Sequence, residues 1–148
     1  MSTTNNALIL VARILLSYMF ITSGFGKLAD PAGTAGMITG AGLPAATALA
    51  YLAGAFELVA GLAVLVGFQT KIVGFALAAF CIFTGAVFHS GTIAVPGWPD
   101  AALGWLNTLN GIMMIKNFTL AGAYILLATV GAGAFSIDAR RGAAPAIA

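Results

Sequence analysis

Residues 43–68 read LPAATALAYLAGAFELVAGLAVLVGF, and the single charge in that run, Glu57, stands near its middle. Neither the part before Glu57 nor the part after it reaches the roughly 20 residues that a bilayer span needs. Either the carboxyl lies close to the bilayer midplane or the segment does not cross. A charge at that depth costs on the order of 2.5–3.5 kcal/mol on insertion scales, which makes an intramembrane acid a functional position by default. The plainer reading of Glu57 is a protonated carboxyl, hydrogen-bonded inside a helix interface.

Outward from this run the chain keeps the same character. Of 148 residues, 61% are hydrophobic and 7% charged, where soluble domains carry roughly 25% charged residues. This is the composition of an integral membrane protein, and the length allows one membrane domain over 1–148. The net charge of +2 comes from six basic residues scattered along the chain. They form no patch, so nucleic-acid binding has no support. The opening segment, Met1 to Asn6, is polar but uncharged. It lacks the basic start of a cleaved signal, so the first apolar run is expected to stay as a helix. Cys81, the lone cysteine, has no partner for a disulfide or a dithiol motif and reads as a small packing residue. No metal-ligand spacing, GxGxxG or P-loop is present.

Apolar runs fall at 7–28, 44–68, 72–89 and 112–136. Open strands cannot cross lipid, so these are helices, and the expected fold is an all-α membrane four-helix bundle. The segment from Ala29 to Gly42 is Gly-rich, contains Asp30-Pro31, and reads as a loop. Gly67-Phe68-Gln69-Thr70-Lys71 reads as a tight turn. In the 90–111 connection, Trp98, Trp105, Leu106 and Leu109 share one helical face. This predicts a short interfacial helix with its indoles at headgroup level. Lys71, Arg140 and Arg141 lie on the side of the termini, with Arg13 nearest it, while Lys27, Lys116, Asp30 and Asp100 lie on the other. The positive-inside rule then puts the termini in the cytoplasm.

Arg13 is a second polar intrusion, too close to Lys27 for both to flank one span. It either snorkels to the inner surface or finds a partner. Arg13, Ser17, Phe20, Gly24 and Lys27 recur at helical spacing and fall within about an 80° arc of one face. The helical neighbours of Glu57 are Ala53, Gly54, Ala60 and Gly61, all small. Such a face belongs in close helix–helix contact, and the polar stripe of the first helix is the expected counterpart. By depth, Glu57 is level with Ser17 and within side-chain reach of Arg13. A Glu57–Arg13 ion pair is the expectation, with Glu57–Ser17 as the fallback. Near the outer boundary, Lys27, His89, Lys116 and Asn117 close or open helices on one side. Cationizable groups at one rim suit an anion or the carbonyl of a quinone head group, although boundary residues are polar in any case.

At these residues the chain resembles the DoxX family of small four-helix membrane proteins. The likeness includes Arg13 with Phe20, Gly24 and Gly26-Lys27-Leu28, then Phe56-Glu57 and Gly61, and the turn at 67–71. It continues with His89, Lys116-Asn117 and the closing Gly131-Ala132-Gly133-Ala134-Phe135-Ser136-Ile137-Asp138. The resemblance implies a bundle in the bacterial inner membrane, associated in some relatives with a terminal oxidase, thiosulfate:quinone oxidoreduction or redox-defence enzymes. The expected role is an accessory subunit that couples a redox enzyme to the membrane quinone pool, with no intrinsic cofactor but a bound quinone. Its partners would be the bilayer and either a redox protein or a second copy. A self-contained quinone oxidoreductase, a small transporter or proton-linked permease using Glu57, and a structural scaffold are the alternatives.

Overall fold

The computed structural model describes residues 1–142. Within them, helices α1 (Thr3–Ala29), α3 (Ala46–Val66), α4 (Thr70–His89) and α5 (Asp100–Val130) are each long and apolar enough to cross a membrane. Two shorter helices, α2 (Pro31–Gly40) and α6 (Ile137–Arg140), follow α1 and α5. No strand occurs among the described residues, so the protein is the all-α helical bundle its apolar runs predict.

Two differences from the sequence reading concern helix punctuation. The segment at 29–42 is not a loop, because Asp30-Pro31 starts a helix as well as ending one. The Asp30 backbone N–H donates to Gly26 O (2.9 Å) and finishes α1, while its carboxylate accepts from Gly33 N (3.0 Å) and caps α2. Pro31 sits at the first helical position, where its missing N–H costs nothing. The expected short interfacial helix in the 90–111 connection is likewise not separate. Nothing between Asp100 and Asn110 interrupts the ladder, so these residues are the first turns of α5, whose 31 residues extend about 46 Å. Trp105 on these turns and Trp98 just before them are both exposed. At the far end α5 stops at Val130, short of the expected 136, because Gly131 turns the backbone at φ 87°.

The long helices form two antiparallel pairs, α1 with α3 and α4 with α5. Glycine sets the spacing in each pair. A Cβ on Gly24 would lie 2.5 Å from Leu58 N, and one on Gly61 would lie 2.9 Å from Ile21 N. In the other pair, a Cβ on Gly74 would lie 2.9 Å from Ala128 Cβ. Helices in lipid gain little from hydrophobicity and much from such close approach. The pairs meet at a core of Phe20, Val64, Leu77, Cys81 and Tyr124. Phe20 stands edge-on to Tyr124 with centroids 5.5 Å apart, and Phe56 packs on Phe80 at 5.0 Å. The Tyr124 hydroxyl crosses between pairs to donate to Leu16 O (2.9 Å).

Arg13 locks the end of the bundle that carries the termini. It is 1% exposed, so it does not snorkel, and it does not meet Glu57. Its Nε donates to Val64 O (2.9 Å) and Nη2 to Leu65 O (2.6 Å); Nη1 donates to Ala132 O (2.7 Å) and Phe135 O (2.8 Å). Val64 and Leu65 are among the last carbonyls of α3, beyond whose end the regular helical donors are missing (of backbone donors, Val64 O accepts only the cap Gly67 N–H, at 3.1 Å), and they carry the negative end of its dipole. Arg13 is therefore a C-cap for α3 supplied by α1, and it ties the closing segment to both. Asp138 completes this clip by accepting from Gln69 N and Thr70 N (both 2.8 Å) at the start of α4. Burial pushes the Asp138 carboxyl up, but the N–H groups of Thr70 and Gln69 and the charge of Arg141 outweigh it and hold it below its ordinary value.

Candidate ligand cavity between the helix pairs

Away from the Arg13 end the two pairs diverge, and a cavity of about 850 Å³ opens between them. Its walls are mostly apolar. They come from α1 (Met19, Phe20), α3 (Leu52, Phe56) and α4 (Phe80, Phe83), while α2 lines it with Thr34, Met37 and Ile38. The packed core around Phe20, Leu77 and Tyr124 lies between this space and the Arg13 end.

Five of the polar residues singled out in the sequence line this one cavity: Glu57, Lys27, His89, Lys116 and Asn117. Glu57 pairs with Lys27, not with Arg13 or Ser17: Lys27 Nζ donates to Glu57 Oε2 at 2.9 Å and to Ser23 Oγ at 2.6 Å. The reason is register. Gly24 lies against Gly54 and Leu58, so the last turn of α1 stands beside Glu57. Arg13 stands beside Val64 and Leu65, about 10–12 Å further along α3. The two helices are not flush: α3 ends at Val66, beside Arg13, and α1 runs on past that end from Arg13 back to Thr3. Ser17 is buried and bonds within its own helix, donating to Ile14 O (2.9 Å). The side chains of Lys27 and Glu57 are 26% and 5% exposed, so the pair is sheltered but reachable from the cavity.

The opposite wall is built by α4 and α5. His89 Nδ1 lies 2.8 Å from Asn110 Oδ1. Asn110 spends its amide protons on His89 O (3.3 Å) and Gly91 O (2.9 Å), so its oxygen is the acceptor. Neutral His89 is then the Nδ1–H tautomer, with a lone pair left on Nε2. Asn117 is buried, donates to Met113 O (3.0 Å) and packs against Gly85. Lys116 is half-buried and, among the described residues, has neither an ion pair nor a hydrogen bond.

Sequence reading missed Asn110 and Asn107. Asn107 Oδ1 accepts from Ile93 N (2.7 Å), and its Nδ2 donates to Ile93 O (2.9 Å), clasping the connection to α5. Nothing local distinguishes these asparagines from ordinary interfacial polar residues. The wall from α2 had a signal in Asp30-Pro31 followed by Met37-Ile38. Apolar walls with a few convergent polar groups are the makeup of a small-molecule site.

Comparison with known proteins finds a family model and relatives in the inner membrane of a bacterium. The family model described as DoxX matches residues 8–90. Inner membrane protein YqjF of Escherichia coli strain K12 is 36% identical over 130 residues, covering 88% of each chain. Inner membrane protein YphA of the same organism is 30% identical over 138 residues, 90% of this chain and 89% of its own. No solved structure matches the chain significantly.

Proposed function

The chain belongs to the DoxX family, and from that membership and the cavity we propose that it is an accessory membrane subunit holding a quinone for a redox partner. The reading places it in the bacterial inner membrane, as its relatives' names place them. The termini face the cytoplasm, with Lys71, Arg140 and Arg141 on that side. Redox chemistry belongs to the partner; this chain contributes binding and placement between that partner and the lipid-borne pool.

The observation that carries the reading is the cavity itself. Its volume of about 850 Å³ lies in the range of small-molecule sites, and apolar walls with a few donors match an apolar ring bearing carbonyl oxygens. Lys116 and Asn117 supply donors on one side and Lys27 on the other. A proton-linked permease built on Glu57 draws less support. The carboxylate is committed to Lys27, and the core around Phe20, Leu77 and Tyr124 fills the bundle between the cavity and the Arg13 end.

Purification into nanodiscs followed by native mass spectrometry and titration with a short-chain quinone tests this. One quinone per chain is expected, and Ala53→Trp, which fills the cavity from α3, is expected to abolish its binding. Absence of saturable binding, or undiminished binding in Ala53→Trp, would sink the proposal.

A further inference from the structure

We propose that the cavity also takes an acidic single-chain amphiphile, its anionic head on Lys116 Nζ, and that this ligand competes with the quinone. The inference rests on reading the cavity as a ligand site and names a second chemical class for it. It follows from the charges lining the space. Lys27 and Glu57 neutralise one another at 2.9 Å. Lys116 lines the same space without a bonded partner among the described residues. Lys116 is thus a positive charge of the cavity that no carboxylate among the described residues compensates.

An ammonium group between apolar walls has lost part of its hydration and gained nothing in return. A monoanionic head restores that loss through a charge-assisted hydrogen bond, which is stronger than a bond to a neutral carbonyl. Lys116 lies on α5 six residues beyond Asn110, about 9 Å deeper into the bundle. A head group there leaves its chain to run along the apolar surface of Phe80, Phe83 and Leu52. Leu52 and Phe83 are themselves exposed on the outside of the bundle, where the chain reaches lipid.

The test uses the full chain in nanodiscs of zwitterionic phosphatidylcholine. The fluorescent cis-parinaric acid is compared with its methyl ester, which keeps the chain and removes the charge. The acid is expected to bind about tenfold or more tightly than the ester, the worth of one charged hydrogen bond. It is also expected to displace a short-chain quinone. Lys116→Met should erase the preference and Lys116→Arg should keep it. The acid–ester comparison on the unsubstituted protein stands even if Lys116→Met folds poorly. Competition with palmitate and with lysophosphatidic acid distinguishes a carboxylate from a phosphate head, and displacement by either supports the proposal. Equal binding of acid and ester, or a preference that survives in Lys116→Met, overturns it. Quinone binding without any preference for the acid overturns this inference alone, whereas loss of all binding removes the quinone reading with it.

Discussion

Glu57 and Lys27 form a sheltered ion pair on facing helices, and its worth depends on what replaces it. Removing one partner strands the other charge among apolar groups, a loss that reaches about 3–5 kcal/mol for fully buried pairs. The partial exposure of Lys27 reduces that figure here. Removing both together leaves no stranded charge and is often neutral or stabilising. Glu57→Met and Lys27→Met should therefore each lower the unfolding temperature in detergent, while the double variant recovers most of the loss. Additive losses in the double variant would mean that the two side chains act independently. Arg13 differs, because its four acceptors are backbone carbonyls. No single compensating substitution exists for it.

At the scale of elements, glycine spacing holds each pair and the closing clip holds the pairs' shared end. Gly24→Ala would drive a methyl into the backbone at Leu58, whereas Gly26 has nothing within 4 Å of a new Cβ. The first substitution should cut the yield of folded protein severely. The second should leave it unchanged or slightly better, since alanine favours helix by about 1 kcal/mol. Equal yields would show that the α1–α3 contact tolerates separation. The clip has its own pH signature. Asp138 titrates below its ordinary value of 3.8 in the folded protein, so its contribution is complete above that value. It is lost as the pH falls below about 4 and through the folded pKa. Melting temperatures followed from neutral pH to about pH 3 should fall over this window, and Asp138→Asn should be less stable at neutral pH and flatter across it. A parallel acid-induced fall in both proteins would assign the effect to other groups.

For the whole molecule, α1–α3 and α4–α5 are each paired along their length and meet one another at the core of Phe20, Val64, Leu77, Cys81 and Tyr124, with Phe56 on Phe80 beside it. Two pairs joined at this core leave a wedge at the end away from the termini, and α2 lines part of it. The 31 residues of α5 extend about 46 Å, beyond the roughly 30 Å of the hydrocarbon core, and its first turns carry exposed Trp105. Trp98 and Trp105 are the two tryptophans of the chain, so intrinsic fluorescence reports this end alone. Lipids brominated near the headgroup should quench it more strongly than lipids brominated near the chain ends. The reverse order would put the start of α5 in the hydrocarbon interior.

Composition and periodicity by themselves determined the all-α membrane character, the four long helices, the break after α3 (shorter than the 67–71 expected, since α4 already starts at Thr70) and the buried stripe of Arg13, Ser17, Phe20 and Gly24. These rest on local properties: bilayer thickness sets the length of each run, and helical pitch sets which residues share a face. The polar residues at the helix ends away from the termini were also legible, since Lys27, His89, Lys116 and Asn117 do line one space with Glu57. Partner choice was not legible. Whether Glu57 meets Arg13 or Lys27 depends on sliding α1 along α3, and that register is decided where Gly24, Gly54 and Gly61 let two backbones touch. The role of Arg13 was hidden for the same reason, because its acceptors are carbonyls brought from α3 and the closing segment, and every residue carries a carbonyl. Only the tertiary structure, by leaving the two pairs splayed at one end, turned a list of boundary residues into the lining of a cavity.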